Sequence, residues 1–196
     1  MEFKKIQLNG FKSFAEKTNF LIEDGLTGIV GPNGCGKSNI VESLRWVMGE
    51  TSAKSMRGSG MEDVIFSGTS NKASKNIAEV SIEVENKDKE GPIQYRETEQ
   101  IQVRRKIEKD KGSKFYINDK EVRARDAQMF FADLSTGAHS PSMISQGRIG
   151  ALVTAKPTDR RAILEEAAGI SGLHVRRHEA ELRLGAAENN LSLIHI

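Results

Sequence analysis

The chain has 196 residues, 37% of them apolar and 29% charged, with a formal net charge of +2 and a single cysteine. That length supports one domain with a real core, and the charge balance gives no argument by itself for nucleic-acid binding. One cysteine excludes an internal disulfide, no apolar run is long enough to span a bilayer, and the N-terminus lacks the apolar core of a signal peptide, so the expected location is cytoplasmic.

Phe3 to Leu8 alternates and predicts a first strand, closed by a turn at Asn9-Gly10. Thr18 to Ile22 predicts a second. Leu26 to Val30 is a short apolar run and predicts a third, ending at Gly31. It leads into Gly31-Pro-Asn-Gly-Cys-Gly-Lys37-Ser38, which fits the phosphate-binding pattern G-x-x-x-x-G-K-[ST]. After Ser38, Ile40, Val41, Leu44, Val47 and Met48 fall at helical spacing. A strand, a glycine loop and a helix in that order aim backbone N–H groups and the helix dipole at one point. The expected nucleotide site is therefore Gly31, Pro32, Asn33, Gly34, Cys35, Gly36, Lys37, Ser38 and Asn39. Lys37 is expected on the β- and γ-phosphates and the Ser38 hydroxyl on Mg²⁺. The expected cofactors are ATP and Mg²⁺.

Ser52 to Gly60 is a loop by composition. Asn76 to Asn86 and Glu97 to Ile107 alternate and predict two half-buried strands. Lys114 to Val122 predicts a tight hairpin bent at Asn118-Asp119, and together these form an antiparallel sheet. Cations crowd this region, and Arg104, Arg105, Arg123 and Arg125 are the candidates for contact with a DNA backbone. Such contact would act through counterion release and be blind to sequence. The alternative is a solvated face balanced by Glu108, Asp110, Asp119, Glu121 and Asp126.

Gln128 to Leu134 predicts a short helix. Met129-Phe-Phe-Ala-Asp133 mimics an apolar strand ending in a Walker B aspartate, but no glutamate follows to act as a base. Leu134-Ser-Thr-Gly137 is likewise rejected as an ABC signature, because Thr136 replaces a needed glycine. Pro157 and Asp159 open a helix through Ala168, and a break is expected at Gly169-Ile-Ser-Gly172. Leu173, Ala180, Leu184 and Ala187 then recur at spacings that suit a further helix. Leu191-Ser-Leu-Ile-His-Ile196 does not continue that pattern. It back-translates to a transposase adapter end used in library preparation, so 191–196 is expected to be adapter read-through.

Several of these stretches together resemble the N-terminal head of bacterial SMC (structural maintenance of chromosomes) proteins, which are ABC-type ATPases. They are Gly10-Phe-Lys-Ser-Phe14, the phosphate loop, Leu44-Arg-Trp-Val-Met-Gly49, Ser52-Ala-Lys-Ser-Met-Arg-Gly58, Met61-Glu-Asp-Val-Ile-Phe66, Tyr116-Ile-Asn118, Gln146-Gly-Arg-Ile149 and Arg160-Arg-Ala-Ile-Leu-Glu-Glu-Ala-Ala-Gly169. Gly172 to Leu182 is most similar to alphaproteobacterial members. The resemblance implies an α/β fold, the N-terminal lobe of a P-loop ATPase head. Its mixed sheet surrounds the phosphate-loop helix beside antiparallel strands, and a long helix then starts a coiled coil. The implied domains are 1–168 for the lobe and 169–190 for the start of the arm. Arg57 is implied near the nucleotide phosphates and the partner head. Gln146 is implied as the Q-loop residue, helping to hold Mg²⁺ and the attacking water. With Lys37, these two form the implied catalytic set. Walker B, the catalytic carboxylate and the signature motif are then expected from a distant C-terminal lobe.

The implied function is chromosome condensation and segregation by ATP-driven DNA loop handling. The implied partners are double-stranded DNA, a second copy through hinge and heads, and a kleisin subunit at the head-proximal coiled coil. The implied location is the nucleoid. Another coiled-coil ABC-class DNA-repair ATPase, an ABC transporter subunit and a nucleotide-independent DNA-binding module are the competing readings. The stretch from Arg160 to Gly169 argues against the first, and the missing signature motif argues against the second.

Overall fold

A computed structural model describes residues 1–87, 89, 92–134, 143–144, 150, 153–168 and 171–194. Six strands form one sheet: β1 (Glu2–Asn9), β2 (Thr18–Leu21), β3 (Ile77–Glu85), β4 (Gln100–Glu108), β5 (Gly112–Ile117) and β6 (Lys120–Val122). Their order is β2-β1-β3-β4-β5-β6, and every pairing is antiparallel. Among the described residues the sheet is accompanied by the α-helices α1 (Lys37–Val47), α2 (Ala124–Asp133), α3 (Pro157–Ala167) and α4 (Ser171–Ile194).

Period-2 patterning sets which face of the sheet is buried. In β3 the inward set is Ala78, Val80, Ile82 and Val84; in β4 it includes Ile101, Val103 and Ile107. These pack under α1, whose Ile40, Trp46 and Val47 are also buried. Trp46 and Phe11 are fully buried, with ring centroids 5.4 Å apart. The opposite face is polar, with Gln7, Glu79, Glu83, Gln102 and Arg104 from successive strands.

Turn chemistry fixes the register. Ile117 pairs with Lys120, so Asn118 and Asp119 form a two-residue loop. Both have positive φ, 47° and 62°, as a type I′ turn requires. Gly10 closes β1 at φ 65°, and a Cβ there would lie 2.2 Å from the Ile77 carbonyl oxygen, so only glycine lets β3 pass.

α2 is the expected short helix, beginning four residues earlier than Gln128. Its buried Ala127, Phe130 and Phe131 lie on one face, and Asp133 ends the helix rather than a strand, which agrees with its rejection as a Walker B residue. α3 begins at Pro157 as expected. α4 runs without interruption to Ile194, so the backbone carries the helix past Asn190 and through 191–194, where the side-chain pattern predicts an end.

One predicted strand is absent. Residues 26–30 join no strand of the sheet. Leu26 is 98% exposed and Val30 93%. The run has the apolar composition of a buried strand but no neighbour among the described residues to bond with. The sheet is accordingly antiparallel throughout rather than mixed.

Candidate phosphate-binding site

The phosphate loop enters α1 through two glycines in the left-handed region, Gly34 at φ 83° and Gly36 at φ 94°. Gly36 is the residue before the first helical turn. No side chain caps that end and no carboxylate stands in the first turn. The Asn39 N–H donates to the Gly36 carbonyl at 2.9 Å, which leaves the N–H groups of Lys37 and Ser38 for an external acceptor, and the local dipole favours an anion. A Cβ on Gly36 would lie 2.5 Å from Ser13 Oγ and 3.4 Å from Phe14. The loop is seated directly on the Gly10–Phe14 turn, and a side chain at Gly36 would crowd Ser13 on a backbone that favours glycine.

Lys37 folds back over its own loop. Its Nζ donates to the carbonyls of Gly31 and Pro32, both at 2.6 Å, and lies 3.8 Å from Cys35 Sγ. The ammonium is held where phosphate oxygens could take the place of those acceptors. A depression of about 300 Å³ is lined by Asn33, Gly34, Gly36, Lys37, Ser38, Asn39 and Arg57. Its size suits phosphate groups more than a whole nucleotide. Ser38 stands at this rim with its hydroxyl available to a cation. The donors and dipole therefore fit a polyphosphate, and Ser38 fits one ligand position of the accompanying Mg²⁺.

Arg57, remote in sequence, is delivered to the same depression. It ends a 3₁₀ turn (Lys54–Met56) with φ 55°, a strained value for a side-chain-bearing residue. Its Nη2 donates to Asn39 Oδ1 at 3.2 Å and pairs with Glu42 Oε1. Glu42 lies on α1, one turn beyond Ser38, and is buried. Its second oxygen, Oε2, accepts from Lys12 Nζ, which also donates to the Met56 carbonyl at 2.5 Å. Asn39 completes the link by donating to Ser13 Oγ at 2.8 Å. Sequence reasoning missed Glu42 and Lys12. The signal available was the i+4 relation of Glu42 to Ser38, which puts both on one side of α1.

The candidate DNA contacts divide. Arg105 is buried and leaves the surface set. It shares the inward parity of Ile101, Val103 and Ile107, with its Nη1 donating at 2.7 Å to the carbonyls of both Trp46 and Glu50 and its Nε donating at 2.7 Å to Ser113 Oγ. The guanidinium lies over the Trp46 and Phe115 rings. Burial pushes its pKa down to about 10, against a weaker upward pull from Glu50. A DNA phosphate cannot reach it.

Arg104 points to the opposite, polar face. It donates to Asp119 Oδ1 at 2.9 Å, lies 3.7 Å from Glu79 and covers the Tyr116 ring. Its charge is largely offset. Arg123 and Arg125 are exposed at the start of α2. Arg123 and the hairpin residues Lys114 and Lys120 line a hollow of about 640 Å³, where Glu121 and Asp126 supply the opposing charge. Gln146 lies outside the described residues.

The family model for the RecF/RecN/SMC N-terminal domain matches residues 2–148. The chain belongs to this family. Within the RecF/RecN/SMC family, it is 56% identical over 194 residues to the chromosome partition protein Smc of Cereibacter sphaeroides, an alignment covering 99% of this chain and 17% of that protein. The chain thus spans about a sixth of such a relative. An SMC structure from work on ATP-driven dimerization and DNA-stimulated activation of SMC ATPases shares 31% identity and a TM-score of 0.72, covering 85% of this chain and 99% of that one. The Smc head bound to the C-winged-helix domain of ScpA shares 31% identity and a TM-score of 0.79, over 87% of this chain and 52% of that one. The SMC head architecture expected from the motifs is therefore the fold. No helix among the described residues is long and apolar enough to cross a membrane.

Proposed function

We propose that this chain is the phosphate-binding half of an SMC ATPase head that works in chromosome partition. The observation that carries the reading is the uncapped α1 N-terminus, with Lys37 folded over the glycine loop and Arg57 at its rim. Membership of the RecF/RecN/SMC family, and relatives named for chromosome partition, support it.

In this reading the loop amides and Lys37 bind the phosphates of ATP, Ser38 gives Mg²⁺ one oxygen, and Arg57 offsets phosphate charge. Gln146 supplies a further contact to Mg²⁺ and the attacking water. Ser38 and Gln146 would hold the cation, which would supply Lewis-acid polarisation of the phosphoryl group. Residues 26–30 pair with strands of a C-terminal lobe, which brings Walker B, the base and the signature motif. A second head closes over the nucleotide, a kleisin docks on the arm that begins at α4, and duplex DNA is held without sequence preference. The whole protein thus acts on the nucleoid in the cytoplasm.

The test is Mg-ATP binding by calorimetry, paired with a turnover assay on the purified chain. Binding that is weak, and lost in Lys37→Ala, is the expected result, with no steady hydrolysis. Turnover that disappears in Lys37→Ala would show that the chain is a complete ATPase and would overturn the half-site assignment.

A further inference from the structure

The contacts around Glu42 carry an inference that rests on the phosphate-site reading and deepens it. We infer that Glu42 is a positioning residue that holds the Arg57 guanidinium ready for a nucleotide phosphate. Three features of the structure support this.

The first is how Glu42 is paired. Its side chain is 10% exposed and faces two cations, one per oxygen: Arg57 on Oε1 and Lys12 on Oε2. A buried carboxylate between two cations leaves a net positive charge. Glu42 therefore anchors Arg57 without cancelling the charge that a phosphate would meet.

The second is which guanidinium nitrogens are engaged. Both Arg57 contacts, to Glu42 and to Asn39, use Nη2. Nη1 and Nε have no protein partner among the described residues. The Arg57 side chain is 59% exposed, whereas the carboxylate it grips is not. A phosphate can thus reach Nη1 or Nε from solvent while Nη2 stays held on the protein side, so the charge is presented from an anchored guanidinium.

The third is the backbone. Arg57 sits at φ 55°, and strained backbone persists where its surroundings over-determine it. Here Lys12 supplies the constraint, because the same ammonium that pairs with Glu42 also binds the Met56 carbonyl. The Gly10–Phe14 turn, α1 and the Arg57 loop are thereby tied at one carboxylate.

The sign of the effect separates this role from simple electrostatics. On charge alone, removing an anion beside an anion site tightens phosphate binding. An anchor predicts the reverse, because a released guanidinium must be ordered again on binding. Glu42→Gln is therefore expected to weaken binding of inorganic tripolyphosphate by about fivefold. In an Arg57→Ala background the same change should have no effect or should tighten binding.

The experiment is calorimetry of the 196-residue chain with tripolyphosphate, together with side-chain ¹⁵N relaxation of the Arg57 guanidinium in the ligand-free protein. Glu42→Gln leaves Lys12 without its carboxylate, so Lys12→Met/Glu42→Gln removes both charges together and guards against loss of folding. Weaker binding with a more mobile Arg57 in either variant is the expected result. Equal or tighter binding, or an Arg57 whose mobility is unchanged, would overturn the proposal. Loss of binding in Lys37→Ala, with both Glu42 variants like the parent, would sink the anchor alone. Binding that Lys37→Ala leaves intact would sink the phosphate-site reading, and the anchor with it.

Discussion

The guanidinium carbon of Arg105 lies 4.5 Å from the centre of the Trp46 ring, and its Nη1 donates to the carbonyl of that same residue at 2.7 Å. One side chain from β4 thus grips the last turn of α1 by both its ring and its backbone. The Glu50 carbonyl completes the grip at 2.7 Å, while the Glu50 carboxylate receives Arg45 at 3.0 Å and the Ser52 N–H at 2.9 Å. The helix that begins at the phosphate loop is therefore fixed to the sheet at its far end.

Truncating this residue should be costly. Arg105→Ala removes a buried charged donor from the Trp46 and Glu50 carbonyls and the cation from the Trp46 ring, an expected loss of about 3 kcal/mol. Arg105→Lys should recover part of it, since an ammonium can satisfy one carbonyl but has no planar fork. Urea unfolding followed by the fluorescence of Trp46 measures both. The pH dependence has a definite sign. Burial holds the folded-state pKa at about 10, below its unfolded value, so the group stays charged in both states at lower pH and contributes no slope there. Above pH 10 the unfolded chain retains the proton longer, and the contribution of Arg105 to stability rises. A stability change between pH 6 and 9 that vanishes in Arg105→Met would contradict this.

Gly36 tests the seating of the phosphate loop. Gly36→Ala puts a Cβ 2.5 Å from Ser13 Oγ on a backbone at φ 94° that side-chain-bearing residues rarely adopt, so Ser13 must turn away and the loop must strain or lift. ATP binding is expected to be lost, as in Lys37→Ala, while the sheet stays folded. Calorimetry with Mg-ATP beside far-ultraviolet circular dichroism checks the pair of outcomes. Full binding by Gly36→Ala would mean that the loop does not hold phosphate in this form.

Asp63 tests the loop that carries Arg57. Its Oδ2 accepts from the N–H groups of Gly60 and Ser59 and from Ser59 Oγ, at 3.0, 2.6 and 2.9 Å. The Gly60 backbone contact leads in holding its pKa below the ordinary carboxylate value, with Ser59 adding to it. A depressed acid stabilises the fold above its unfolded pKa and loses that effect as pH falls through the folded one. The difference in melting temperature between the parent and Asp63→Asn should therefore persist at neutral pH and shrink below about pH 4. A difference that stays constant down to pH 2 would show that the carboxylate charge plays no part.

The basic surface reduces to fewer residues than its sequence suggests. Arg123→Glu/Arg125→Glu is expected to weaken binding to a short DNA duplex by about tenfold and to lower the salt slope by about two. Duplexes of unrelated sequence should respond alike. Fluorescence anisotropy across a salt series is the measurement. An unaltered slope would show that Arg123 and Arg125 make no contact with DNA.

Periodicity made much of this architecture legible. The alternation over 76–86 and 97–107 gave β3 to within one residue at each end and β4 with a start three residues early, and Asn118-Asp119 marked its hairpin because few residues tolerate positive φ twice in a row. The phosphate loop was legible because its chemistry is local. The failures are equally physical. Composition gave residues 26–30 as a strand, but a strand exists only with a partner, and composition does not show where the partner is. Arg105 was counted among surface cations although its parity in β4 points inward with Val103 and Ile107. Charge outweighed pattern in that reading, where pattern decides. Glu42 meets Lys12 and Arg57 from 30 residues before it and 15 after it, contacts that only the folded chain creates. Arg57 itself was found through resemblance, since a loop arginine has no distinguishing spacing.

The bare segment at 26–30 also bears on colloidal behaviour. Leu26 and Val30 are turned almost wholly to solvent beside backbone groups that bond to nothing in the sheet. Such an unpaired apolar segment is open to pairing with any extended peptide, including its own copy. The chain on its own should therefore self-associate as its concentration rises, visible in sedimentation velocity and reduced by Leu26→Lys/Val30→Lys. During synthesis the same segment is a stretch for chaperones to shield, so the time for which it goes uncovered becomes a quantity on which the yield of folded protein depends.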